Sequence, residues 1–186
     1  MRKLYLVIPV SAIILTALVV FKRIEPRPSA QSVTPADLIL KPAPPLRLFD
    51  DQSQLVRLER YLGRHKVVVV FFDGHDGPDR SPLLLELKQQ FPPLHEAGAI
   101  VLAVSEATPF ANRQGMERLD ARFPFPLLSD PSFESHERWQ TIDAETGRTR
   151  QAIFVIDRAG RIRLRQDVAT TPTNWNEIHN ALRLIP

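Results

Sequence analysis

The densest group of chemistry-bearing residues in this chain is Asp73-Gly74-His75-Asp76-Gly77-Pro78-Asp79, with three carboxylates and an imidazole within seven positions. Oxygen and nitrogen ligands so close together could hold a divalent metal. The segment has neither the alternating ligands of an EF-hand nor the helical His spacing of a zinc hydrolase. Gly, Asp and Pro are the residues of tight turns, so the spacing predicts a solvated turn and no metal. Arg80 and Ser81 follow directly. Ser81 lacks the Gly-x-Ser-x-Gly frame of an activated serine. With Pro82 behind it, Ser81 reads as the start of a helix. His65, His95, His136 and His179 are scattered, with no pairing at metal-ligand spacing, and read as surface or partly buried. Trp139 and Trp175 read as core or edge packing.

Cysteine is absent. That excludes a disulfide framework, a thiolate zinc site, an iron–sulfur cluster and a cysteine nucleophile. No cofactor is expected. The composition is that of a globular protein, 44% hydrophobic and 24% charged, with a net charge of only +3. Acidic and basic residues are interspersed without long like-charge runs, so nucleic acid is not expected as a partner.

The elements that would position the loop follow from the hydrophobic pattern. Leu46–Phe49 and Leu55–Leu58 read as short strands joined by a polar turn. Lys66–Phe72, rich in valine and phenylalanine, reads as a strand buried on both faces. Ser81–Phe91 has a helical apolar face (Leu83, Leu84, Leu87, Phe91), and Pro92-Pro93 is expected to end it. A buried strand over Ala99–Val104 follows, then a helix over Asn112–Phe123, a strand over Pro126–Ser129 and a short helix over Phe133–Trp139. A hairpin over Ala152–Arg165 precedes a last helix capped by Thr173. Strands alternating with helices imply a three-layer α/β domain.

Ahead of this domain the run from Leu4 to Phe21 is uncharged, with Arg2 and Lys3 before it and Lys22 and Arg23 after it. Eighteen residues at about 1.5 Å each give roughly 27 Å, enough for one transmembrane helix. A cleaved signal peptide is the competing reading, but its apolar core is shorter and ends at small residues. The expectation is an anchor over residues 1–23, a proline-rich tether over 24–41 and the domain over 42–186. The flanking charges put the domain on the non-cytoplasmic side of a single-pass membrane protein.

Four segments in order resemble the peroxiredoxin form of the thioredoxin fold, the alkyl hydroperoxide reductase and thiol-specific antioxidant family. They are Pro42-Ala43-Pro44-Pro45-Leu46-Arg47-Leu48; Leu58 to Gly63 before the strand at Lys66; Leu127-Leu128-Ser129-Asp130-Pro131; and Ala152-Ile153-Phe154-Val155-Ile156-Asp157 with Gly160 and Ile162. The resemblance implies a thioredoxin-like fold and, in its complete form, thiol-dependent reduction of peroxides. The family's proline, threonine and peroxide-attacking cysteine fall on Asp73, Gly77 and Arg80, and its later arginine falls on Gln151 beside Arg150. None is kept. An arginine is a permanent cation and no nucleophile.

Two classes of function follow. One is a membrane-held, non-catalytic redoxin domain with a binding or assembly role, a pseudoenzyme with a protein partner that the sequence does not name. The alternative is an oxidoreductase or antioxidant by family resemblance, or a metal-dependent activity at the loop from Asp73 to Asp79. In the first, Asp73, Gly77, Arg80 and Gln151 mark a vestigial pocket, and Arg80 with Arg150 is a candidate anion site at a helix start.

Overall fold

The structure, a computed structural model, describes residues 40–185 apart from 121, 170 and 171. Seven strands form one sheet: β1 (Arg47–Asp50), β2 (Leu55–Arg57), β3 (Lys66–Phe71), β4 (Ala99–Ser105), β5 (Leu127–Ser129), β6 (Ala152–Ile156) and β7 (Ile162–Asp167). Their order across the sheet is β2-β1-β5-β4-β3-β6-β7. β3 pairs in parallel with β4, and β4 with β5; β6 runs antiparallel to β3. Helix α1 (Pro82–Glu96) follows β3, α2 (Pro109–Glu117) follows β4, α3 (Glu134–Arg138) follows β5, and α4 (Trp175–Leu184) ends the domain.

The two-residue period of a strand sends neighbouring side chains to opposite faces, and β3 is apolar at both. Val68 and Val70 join Leu83, Leu84 and Leu87 of α1 and Trp175, Ile178 and Leu182 of α4 in one core. Val67, Val69 and Phe71 join Leu46, Trp139 and Phe154 in the other. Each fully buried Leu or Val contributes roughly 1.5–3 kcal/mol, so the two cores fix the sheet between its layers.

Several helix boundaries differ from expectation. α1 continues through Pro92 and Pro93 to Glu96. Buried Leu94 anchors that last turn, and the Ala97 N–H closes it on the Pro93 carbonyl at 3.1 Å. Tertiary packing there outweighs the two missing amides. α2 starts early, at Pro109, because the Thr108 Oγ1 accepts the Ala111 N–H at 3.2 Å, and it ends at Glu117, short of the expected Phe123, where the Arg118 N–H turns back to the Gly115 carbonyl. At α4 the N-cap is Asn174, and Thr173 lies one residue outside, its N–H bonded to Glu86.

The membrane expectation is corrected. Among the described residues no helix is long and apolar enough to cross a membrane. The longest, α1, has 15 residues and carries Glu86, Lys88 and Glu96, against the roughly 20 apolar residues a span needs. The segment from Leu4 to Phe21 lies outside the described residues. The fold is thus the thioredoxin-like α/β domain without a demonstrated transmembrane helix. Attachment to a membrane through that segment, single-pass localisation with a non-cytoplasmic domain, and a membrane-held binding or assembly role lose their support.

Candidate functional site

The loop after β3 is built by close approach. Gly74 is buried, and a Cβ there would stand 2.9 Å from the Ser105 Cβ and 3.1 Å from that of Ala107. Its N–H donates to Glu106 Oε1 at 3.0 Å, tying the loop to the end of β4. Asp73 and His75 are exposed, and Asp73 Oδ1 accepts the His75 N–H at 2.9 Å, an Asx-type turn. Gly77 takes φ 89°, a left-handed conformation that favours glycine, and the chain then makes a 3₁₀ turn over Pro78–Arg80. Ser81 caps α1, its Oγ accepting the Leu84 N–H at 3.4 Å. That hydroxyl is used structurally.

Arg80 is exposed and makes no side-chain hydrogen bond or ion pair among the described residues. The carboxylate beside it is engaged elsewhere: Asp79 holds Arg118 through two bonds, Nε to Oδ2 at 2.8 Å and Nη2 to Oδ1 at 2.5 Å. The Arg118 hydrogen bond holds the Asp79 carboxyl below the usual carboxylate range, with the charges of Arg118 and Arg80 acting in the same direction. The Arg118 pKa is raised by the same bond.

Gln151 is half-buried just ahead of β6, and its carbonyl accepts the Val168 N–H at 2.8 Å. Arg150 turns inward: Nη2 donates to the Ile142 carbonyl at 3.4 Å, while its Nε is buried without a partner. No hydrogen bond or ion pair joins Arg150 to Arg80 among the described residues. A cleft of about 430 Å³ does open beside the loop, lined by Asp73, His75, Glu106, Phe133, Arg148 and Thr149. Of the four expected pocket residues it takes in only Asp73. Its far wall is the turn closed by Asp143, whose Oδ1 accepts the Thr146 N–H at 2.8 Å and Oγ1 at 2.9 Å. Those bonds, the Thr146 N–H first, hold the Asp143 carboxyl below its ordinary range. Among the described residues no three His, Asp or Glu side chains stand together as metal ligands.

Two polar clusters escaped the sequence. Asp130 and His136 form a pair buried beside the site, Nδ1 to Oδ2 at 2.7 Å, with exposures of 1% and 0%. Phe71 meets the imidazole edge-on at 5.1 Å, and the His136 Nε2 has no partner. Among scattered histidines, only the spacing of six residues from the turn Ser129-Asp130-Pro131 hinted at this pair. Under the loop, Asn112 Nδ2 donates to Ser129 Oγ at 3.0 Å and to Ser105 Oγ at 3.4 Å. These groups rigidify the ends of β4 and β5. The arrangement offers an ordered loop and a polar cleft, but no activated nucleophile among the described residues.

Comparison with known proteins gives a consistent picture. A profile of the AhpC/TSA family matches residues 39–165. Alkyl hydroperoxide reductase E of Mycobacterium tuberculosis is 30% identical over 123 residues, 65% of this chain and 79% of that protein. The same figures hold for its Mycobacterium bovis counterpart. Among solved structures, peroxidoxin BcpB from M. tuberculosis superposes with a TM-score of 0.69 at 18% identity, over 80% of this chain and 97% of that one. The mitochondrial 2-Cys peroxiredoxin of Plasmodium falciparum gives 0.67 at 14%, over 78% and 92%.

Proposed function

This chain belongs to the AhpC/TSA family, and from that premise we propose that it serves the family's redoxin class of function, defence against oxidants, without thiol-peroxidase turnover of its own. The observation that carries the proposal is the retention of the seven-stranded scaffold in a chain with no cysteine. The family relationship supports the class; the residue inventory removes the thiol step. The family's attack on a peroxide O–O bond needs a thiolate stabilised by a helix N-terminus and a nearby cation. At the corresponding position Arg80 is already a cation, and the neighbouring Ser81 hydroxyl is engaged as a cap. Peroxide defence by this chain therefore proceeds by a route other than cysteine oxidation.

The test is a strain lacking the gene, challenged with hydrogen peroxide or cumene hydroperoxide and then supplied with the intact chain. Lower survival on loss, restored by the wild-type chain and equally by Arg80→Ala, is the expected result. Survival unchanged by loss of the gene would overturn the proposal.

A further inference from the structure

At the sheet edge away from the loop, a half-open groove of about 420 Å³ lies between β7 and α4, lined on its apolar side by Leu40, Leu164, Ala181, Leu184 and Ile185. That volume is in the range of small-molecule sites. Two of these side chains sit at the surface, Leu40 at 58% exposure and Leu184 at 85%. Leu40 also has φ 66°, a left-handed conformation that costs a non-glycine residue energy. It is kept there by its N–H bond to the Ile162 carbonyl at 2.8 Å.

Basic residues gather near one end of the groove, and of these Arg163 is on its lining. Lys66 Nζ donates to the Leu182 carbonyl at 2.8 Å, so the last turn of α4 stands at the start of β3. Val67 pairs with Ile156, which brings the β6–β7 turn to that same end. The Ile162 N–H donates to the Lys41 carbonyl at 3.0 Å, setting Lys41 beside Arg161 and Arg163. Lys41 and Arg161 are exposed and make no side-chain hydrogen bond or ion pair among the described residues. Arg163 spends its Nε on Asp157 at 2.6 Å and keeps its Nη groups. The lining carboxylate, Glu177, is in the first turn of α4, seven residues before Leu184 and so about 10 Å away along the helix.

We propose that this groove binds a medium-chain fatty acid, the alkyl chain lying along Leu164, Ala181 and Leu184 and the carboxylate meeting Lys41, Arg161 and Arg163. An apolar channel lined by the Asp157-paired Arg163, with the unpaired side chains of Lys41 and Arg161 nearby and the Glu177 carboxylate at its other end, selects an amphiphile by the sign and place of its head group. This inference does not depend on the redoxin reading.

Isothermal titration of the full chain with dodecanoate, below its micelle concentration, tests it, with dodecylamine as the charge-reversed probe. The expected result is saturable one-to-one binding of dodecanoate and at least about tenfold weaker binding of dodecylamine. Lys41→Glu with Arg161→Glu weakens dodecanoate binding about tenfold, and Leu184→Glu abolishes it, with melting curves confirming that both variants fold. Equal affinity for the two probes, no saturation, or indifference to these substitutions would overturn the proposal. So would a concentration-dependent dimer that Leu184→Glu dissociates, which would assign the groove to a second copy of the chain.

Discussion

Arg118, at the end of α2, grips Asp79, in the turn ahead of α1, with two parallel hydrogen bonds of 2.8 and 2.5 Å. This fork couples the loop after β3 to the element after β4 across 39 positions of sequence. Because Asp79 is held below its ordinary carboxylate range by that bond, its contribution to stability has a defined sign with pH. The contribution is fully present above the unfolded-state value, about pH 4, and is lost as pH falls through the lower folded-state value. Thermal melts of the wild type and Asp79→Asn should therefore differ at neutral pH and converge as the pH falls below the unfolded-state value, about pH 4. A difference that does not shrink on acidification would contradict the assignment.

The same loop is packed by a glycine. A Cβ on Gly115 of α2 would collide with Cγ and Cδ of Pro78. Gly115→Ala gains helix propensity but must displace the turn, and steric conflict of this kind costs about 1–3 kcal/mol. The expected outcome in urea titration is a lower midpoint with little change in slope. A raised midpoint would show that the turn yields freely.

The buried Asp130–His136 pair predicts an asymmetric mutational response. His136→Ala leaves the Asp130 carboxylate buried with its imidazole partner gone, a loss of about 3 kcal/mol. Replacing both residues at once, as Asp130→Asn with His136→Ala, should cost less than the single His136→Ala change. Denaturant unfolding of the four corners of this cycle measures the coupling, and additive single effects would argue against it.

A thiol placed at position 80, where the resemblance puts the family's reactive cysteine, should not revive the family's chemistry. Arg80→Cys exposes a side chain at the end of the 3₁₀ turn Pro78–Arg80, so labelling by a disulfide reagent should be fast and complete. The flanking Asp73 and Gly77 supply neither the proline nor the threonine that the family resemblance calls for. The expected rate with hydrogen peroxide is within about tenfold of a free cysteine at the same ionisation. Acceleration by several orders of magnitude would show that the pocket is still preorganised.

The fold was legible where burial is two-sided or periodic. β3 and β4 read directly from Val67 to Phe71 and from Ala99 to Val104, because short runs rich in β-branched residues fit a strand buried on both faces. The inward face of α1 read from the spacing of Leu83, Leu84 and Leu87. Its C-terminal end did not, since Pro92 and Pro93 signal a stop that only the burial of Leu94 overrides. At the site, the turn chemistry of the loop and the capping role of Ser81 were visible in local sequence. The Asp79–Arg118 fork, the Asp130–His136 pair and the cleft between Asp73 and Arg148 were not. The fork and the cleft join residues far apart in sequence, and the six-residue spacing of Asp130 and His136 does not by itself mark a contact.

The most direct measurement for the account as a whole is peroxide consumption by the purified chain after metal removal, with thioredoxin or dithiothreitol as reductant. With no cysteine in the sequence, hydrogen peroxide and cumene hydroperoxide should disappear at the rate of the protein-free control. Turnover above that control, scaling with protein concentration, would contradict the conclusion that this redoxin acts without a thiol-type peroxidase step.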